Sequence, residues 1–134
     1  MNITYKSTKI LQPKDLQELF LSVEWSSGKQ PEKLAEALKN YGSIFTAWDN
    51  EKLVGLIGTM DDQVLTAYVH YLCVNPTHQK QGIGRELIRL TKEYYKNYKR
   101  IILISYNKQV KFYEKCGLAV MSDCSPLHFE EVKQ

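Results

Sequence analysis

Two glycines, Gly82 and Gly84, stand where a helix should begin, just after an apolar run that ends in Asn75-Pro76. Inside a helix each would cost roughly 0.5–1 kcal/mol against alanine. Anion binding is the chemistry that would justify them. The first N–H groups of a helix have no internal partners, and the macrodipole adds about half a positive charge there. Glycines let a large anion reach that backbone. Lys80 and Arg85 flank the turn and can add charge. The plainer reading is a helix start packed closely on a sheet, and a glycine pair alone does not separate the two. Other phosphate loops are excluded. The stretch lacks the Lys-Ser/Thr end of a Walker loop, and Leu87 stands where a dinucleotide loop needs its third glycine. The glycines also follow the fourth predicted strand, whereas a dinucleotide fold uses its first.

The elements that must position this turn are legible from periodicity. "ITYKSTK" alternates as a first strand. "PKDLQELFLSVEW" places Leu16, Leu19, Phe20 and Val23 on one helix face, with Pro13 at its start. Pro31 opens a second helix with Leu34, Ala37, Leu38 and Tyr41 as its stripe, and Gly42 ends it. "SIFTAWDNEKLVGLIGTMDD" reads as a hairpin turning at Asp49-Asn50-Glu51, and "VLTAYVHYLCV" as the next strand. The glycine pair opens a helix with Ile83, Leu87, Leu90 and Tyr94 on one face. "RIILISY" reads as a central strand buried on both faces. "KQVKFYEKCG" is a short helix stopped by Gly117, and "LAVMS" and "PLHFEEV" are closing strands. The result is an α+β fold with a mixed, mostly antiparallel sheet of about 6–7 strands. It contains one right-handed parallel crossover around the glycine turn.

With 134 residues, 43% hydrophobic and 25% charged, the chain reads as a single globular domain, 1–134. No apolar run approaches the roughly 20 residues that span a bilayer. "MNITYKSTKI" lacks the apolar stretch of a signal peptide, so the expected setting is cytoplasmic, without a membrane partner. A formal charge of +3 would draw an anionic small molecule but gives no case for nucleic acid. Cys73, Cys116 and Cys124 are odd in number and lack metal-ligand spacing, so neither a disulfide framework nor a metal is expected.

At this point the sequence resembles the GNAT N-acetyltransferase superfamily. Gln79-Lys80-Gln81-Gly82-Ile83-Gly84 matches its Q/R-x-x-G-x-G/A signature, and Leu72-Cys73-Val74-Asn75-Pro76 matches the strand end before it. Residues 107–118 look like the family's N-x-x-A-x-x-x-Y-E-K-x-G-F, with Val110 where Ala is usual and Leu118 where Phe is usual. His70, four residues before Val74, is similar to a His of the arylalkylamine (serotonin) acetyltransferase branch. The element order also fits from end to end.

The resemblance implies acetyl-CoA as co-substrate. Residues 79–84 and Arg85 would hold its pyrophosphate, and the backbone of the strand at Leu72, Cys73 and Val74 would pair with its pantetheine arm. Asn107 would bond that arm from the other side; its plainer reading is a helix N-cap. Tyr113 would protonate the departing thiolate. A phenol near pKa 10 and a thiol near 8.5 make that transfer feasible, whereas without the motif Tyr113 is one packing aromatic among nine tyrosines. An acceptor ammonium near pKa 10.4 is only about 0.04% neutral at pH 7, so a base is needed. By period two, Tyr68, His70, Leu72 and Val74 share a strand face, which would be the acetyl-CoA face. His70 is the candidate base; its plainer reading is a structural histidine. Tyr68, Asp61, Asp62 and Glu24 are further options. Cys73 faces the other way as a small buried residue. Trp25, in the loop after the first helix, reads either as a wall for the amine's body or as a core residue. The expected activity is acetyl transfer to a primary amine, with a small molecule as the favoured acceptor, by direct attack in a ternary complex. A protein N-terminus or lysine is the alternative acceptor. A silent acyl-CoA sensor is the rival of another class, and retention of Tyr113 and His70 speaks against it. The resemblance allows a homodimer.

Overall fold

The computed structural model describes residues 2–130, in two compact units, one running to Leu103 and the other starting at Ile104. In the first unit the chain order is β1 (Ile3–Ser7), α1 (Pro13–Ser22), α2 (Pro31–Leu38), β2 (Ser43–Asp49), β3 (Lys52–Asp61), β4 (Thr66–Val74), α3 (Ile83–Tyr94) and β5 (Arg100–Leu103). The five strands form one sheet in the order β1-β2-β3-β4-β5. Every pairing is antiparallel except β4 with β5, the parallel pair of the βαβ crossover. This is the mixed GNAT-type fold.

The sheet is sandwiched between helices because adjacent residues of β3 point to opposite faces. Leu56 joins Leu16, Leu19, Phe20, Leu34 and Leu38 in a core under α1 and α2. Its neighbour Gly55 lies against Ile83 and Leu87 of α3. Full burial of each such leucine or phenylalanine contributes about 1.5–3 kcal/mol, enough to override the short lengths of α1 and α2. Gly58 allows a close approach: a Cβ there would stand 3.1 Å from the ring of Tyr41, which would have to shift. Tyr41 sits past the end of α2, buried at 7% exposure against this strand.

Several expected details differ. In α2 the buried residues are Leu34, Ala35 and Leu38; Ala37 is exposed. In α3 the buried set is Ile83, Leu87, Ile88 and Thr91, and Tyr95 at the helix end is fully buried while Tyr94 is 54% exposed. The stripe is therefore one residue wider than a 0-4-7-11 pattern, as a helix covering a broad sheet demands. β5 is a four-residue strand at the edge of the sheet, only partly buried. The expected "LAVMS" strand is not formed, nor is "PLHFEEV" over its described residues; Glu131 and Val132 lie outside them. Strands exist only in ladders. Here the Cys124 amide donates to the Met121 carbonyl at 3.2 Å, a turn, and Pro126 has no N–H to give. Hence five strands rather than six or seven are present among the described residues.

The second unit contains a 3-10 turn, Asn107–Gln109, running into α4 (Val110–Lys115).

Candidate active site

β4 changes character at His70. Its register with β3 pairs Gly58 with Tyr71 but Thr59 with Val69, so His70 is an extra residue, a β-bulge. The inserted residue shifts the alternation by one. Tyr68, Tyr71 and Cys73 pair with Met60, Gly58 and Leu56, on the α1/α2 face. Leu72 and Val74 pair with Ile57 and Gly55, on the α3 face. The expectation that Tyr68, His70, Leu72 and Val74 share one face is therefore corrected, because period two fails across a bulge.

The bulge also marks where β4 leaves β5. The parallel ladder covers Thr66–Val69 against Arg100–Leu103 and goes no further. Beyond it β4 keeps only its β3 neighbour among the described residues. The Asn75 amide donates to the Val54 carbonyl of β3 at 2.8 Å. In that trans peptide the Val74 carbonyl points the opposite way, out of the free edge. The Gln79 side-chain amide donates to it at 2.9 Å.

The loop that follows is pinned from inside. Asn75 Oδ1 accepts from the Thr77 amide at 3.0 Å and from Thr77 Oγ1 at 2.8 Å. Buried His78 bonds Thr77 Oγ1 through Nδ1 at 2.8 Å and Asp49 through Nε2 at 2.9 Å, which ties the loop to the β2–β3 turn. Gly82 then caps α3 with φ +84°, in the left-handed region. It makes no side-chain cap, and the space where its Cβ would stand is open to 4 Å. Lys80 also has a positive φ, +63°. Gln81 is exposed, Ile83 is buried under the helix, and Gly84 and Arg85 lie in its first turn. This end of α3 fits a pyrophosphate: uncapped amides, a glycine that leaves room, and two basic side chains within the same turn.

His70 sits among aromatic rings. Tyr41 Oη and His70 Nδ1 are 2.5 Å apart. The His70 ring lies 4.1 Å from Tyr71 and 5.8 Å from Tyr68, centroid to centroid. Although part of the residue is open to solvent, desolvation of the ring holds its pKa below the ordinary imidazole value. Burial pushes the Tyr41 phenol up, so Tyr41 stays a neutral hydroxyl. The rings of Tyr41 and Tyr71 stack with centroids 6.1 Å apart, and Tyr71 Oη is 3.3 Å from Ser27 Oγ. Trp25, half-buried, packs on both Phe20 and Tyr71 at 5.7 Å, so it borders the same cluster. No sequence signal points to Tyr41, Tyr71 or Ser27 here, since each reads as helix, strand or loop filler.

The other base options have different work. Asp61 accepts from the Tyr95 hydroxyl at 2.6 Å and from the Gln63 amide. Asp62 accepts from the amides of Val64, Leu65 and Thr66, which lower its pKa and close the β3–β4 turn. Glu24, with φ +62°, ends α1 and is exposed. Burial pushes the Cys73 thiol up, leaving it no nucleophilic role.

In the second unit, Asn107 opens the 3-10 turn and caps nothing; Tyr106 and Gln109 occupy the cap positions, without side-chain bonds, so its N-cap reading falls. Tyr113 lies in α4 with its ring 5.2 Å from Phe112. The Leu118 amide donates to the Tyr113 carbonyl at 3.1 Å and the Gly117 amide to that of Glu114 at 3.0 Å. With Gly117 at φ +98°, this is a Schellman stop, and it explains the spacing of Tyr113, Gly117 and Leu118.

Residues 10–118 match the acetyltransferase (GNAT) family. The chain is 29% identical over 95 residues to an uncharacterized N-acetyltransferase in the lysA 3′ region of Bacillus methanolicus, covering 67% of this chain and 77% of that one. A GNAT family acetyltransferase of Streptococcus pneumoniae superposes with a TM-score of 0.86 at 29% identity, over 98% of this chain and 100% of that one. An aminoglycoside acetyltransferase from an uncultured soil metagenomic sample, solved with sisomicin, shares the fold at 20% identity, with a TM-score of 0.68 over 98% of this chain and 97% of that one. No helix among the described residues is long and apolar enough to cross a membrane, and no three metal-ligating side chains cluster there.

Proposed function

The chain belongs to the acetyltransferase (GNAT) family, and from that premise we propose that it acetylates the primary amine of a small molecule by direct attack in a ternary complex. It is an acetyl-CoA-dependent enzyme acting on an amine acceptor. The observation that carries the proposal is the edge of β4. Its ladder to β5 stops at Val69, beside the open end of α3. An extended arm fits along that edge as an added strand, with the backbone at Leu72, Cys73 and Val74 as its partner. Amides of residues 79–84, with Lys80 and Arg85, then meet the phosphates. Gly82 keeps that approach open.

Acetyl-CoA, when bound, supplies an activated thioester. The residues of the chain do the rest. His70 takes the proton from the acceptor ammonium, and its lowered pKa keeps it neutral at pH 7. Tyr113 gives its phenolic proton to the leaving sulfur, and Asn107 holds the arm. Trp25 and Tyr68 flank His70's ring cluster and offer an apolar wall to the acceptor's body. An aminoglycoside acceptor is accommodated by the same fold in the soil enzyme, which supports an acceptor of small-molecule size. The proposal treats the whole chain as one N-acetyltransferase domain in the cytoplasm. A thiol-reagent assay of CoA release over a panel of amines and peptides tests it. Release that depends on a small amine is expected. Release only with peptides would move the acceptor to proteins.

A further inference from the structure

We infer that His78 and Asp49, both outside the glycine signature, are positioning residues for acetyl-CoA. Their clasp holds the span 79–82 in the shape that receives the phosphates. The inference rests on the reading of that span as the pyrophosphate loop. The span hangs between two buried anchors, His78 before it and Ile83 after it. Ile83 lies close to Gly55 of β3. Between the anchors Gln79, Lys80, Gln81 and Gly82 are all exposed. Two of the four have left-handed backbone, Lys80 at φ +63° and Gly82 at φ +84°. Lysine carries a Cβ, so that conformation is uncommon for it and persists where the surroundings over-determine it. The anchors at the two ends supply that constraint.

The His78 anchor is held from two strands of the sheet. Asp49 closes β2, where it pairs with Ile3 of β1 and with Lys52 across the hairpin turn, so its carboxylate stands on a fixed base. That carboxylate only accepts, so Nε2–H of His78 donates to Asp49 Oδ2 at 2.9 Å. The other ring nitrogen, Nδ1, meets Thr77 Oγ1 at 2.8 Å, and Thr77 Oγ1 donates to Asn75 Oδ1 at 2.8 Å. The Asn75 carbonyl accepts from the His78 amide at 2.8 Å, and the Asn75 amide donates to Val54 of β3 at 2.8 Å. The ring is therefore fixed through both nitrogens, to β2 on one side and through Asn75 to β3 on the other. Cutting the bond to Asp49 frees one end of the span. Its amides then diverge in the empty enzyme and must be ordered again when acetyl-CoA binds, which costs affinity rather than chemistry.

Asp49→Ala and His78→Gln test the clasp. Asp49 is partly exposed, so its truncation should leave circular dichroism unchanged and keeps the test valid if the His78 variant folds poorly. Calorimetry with acetyl-CoA should show Kd weakened about three- to tenfold, the size of one net hydrogen bond. At saturating acetyl-CoA, kcat should stay within about twofold. S-acetylpantetheine, the acetylated arm without the phosphates, supplies a readout that a merely structural role would not spare. Its kcat/KM should stay within about twofold of the wild type in both variants. Asp49→Asn keeps an acceptor oxygen and should recover most of the affinity. Wild-type acetyl-CoA affinity in both variants would overturn the clasp. So would equal losses with acetyl-CoA and S-acetylpantetheine, the mark of a general loosening of the fold. Gly82→Val separates the two readings. If it binds acetyl-CoA normally, the span is not the pyrophosphate loop and the clasp falls with it; if it binds weakly while Asp49→Ala and His78→Gln bind normally, only the clasp is wrong.

Discussion

The two halves of β4 have the same kind of sequence and different duties. Thr66–Val69 is hydrogen-bonded to a strand on each side, β3 and β5, and is ordinary sheet interior. Beyond His70, Tyr71–Val74 pairs with β3 alone among the described residues. The change occurs at the bulge, and one inserted residue accounts for three consequences. It ends the β5 ladder, turns the Val74 carbonyl away from β3 to the Gln79 side chain, and brings His70 against Tyr41 and Tyr71. Leaving several ladder bonds unmade costs about 0.5–1.5 kcal/mol each, and a bulge persists against that cost where something else is to pair with the strand.

The comparison can be broken most severely by removing the extra residue. Deleting His70 restores alternation and should straighten β4 onto β5. Activity should fall at least as far as loss of the base alone, about 10²–10⁴-fold, while the melting temperature holds or rises. An active deletion variant would show that the bulge is incidental. Tyr113→Phe sharpens the picture by changing the proposed acid while leaving the sequence of β4 intact. In the proposed acid role the phenol contributes as charge develops on sulfur, so kcat should fall ten- to a thousandfold, with acetyl-CoA Kd changed by less than about threefold. Normal turnover under chemistry-limited conditions would make Tyr113 a packing residue. Gly82→Val tests the anion end beyond the second half. A β-branched side chain at φ +84°, filling the open space, should weaken acetyl-CoA binding at least tenfold, about 1.4 kcal/mol, by calorimetry. Asp62→Ala gives the smallest effect. It loosens the turn that feeds the paired half, so the melting temperature should drop while the acidic side of the pH–rate profile stays in place.

Much of this molecule was legible in the sequence. The glycine turn, the crossover around it and the stop at Gly117 are local signals with local causes. The bulge is not such a signal. "TAYVHYLCV" is apolar or aromatic almost throughout, so its pattern cannot reveal a shifted period, and simple alternation puts Leu72 and Val74 on the face of Tyr68. By periodicity Tyr41 is one more residue of a helix stripe; its hydroxyl meets His70 across 29 positions of sequence, a contact that only the folded sheet creates. The closing strands failed for a related reason. β-rich residues such as Val120, Met121 and Phe129 are suited to a ladder but do not make one, and all three are exposed.

The central claim is that the bulged residue is the base, and the pH dependence of kcat/KM for the amine tests it most directly. His70 must be neutral to act, and desolvation lowers its pKa, so activity should fall as pH drops through a midpoint below about 6.5. The same shift makes the unfolded chain bind the proton first, so folded stability should also decline as pH falls below about 6.5. In His70→Ala the acidic limb should vanish and the plateau should fall by about 10²–10⁴. A variant that keeps the limb, at a rate near that of the wild type, would contradict the account.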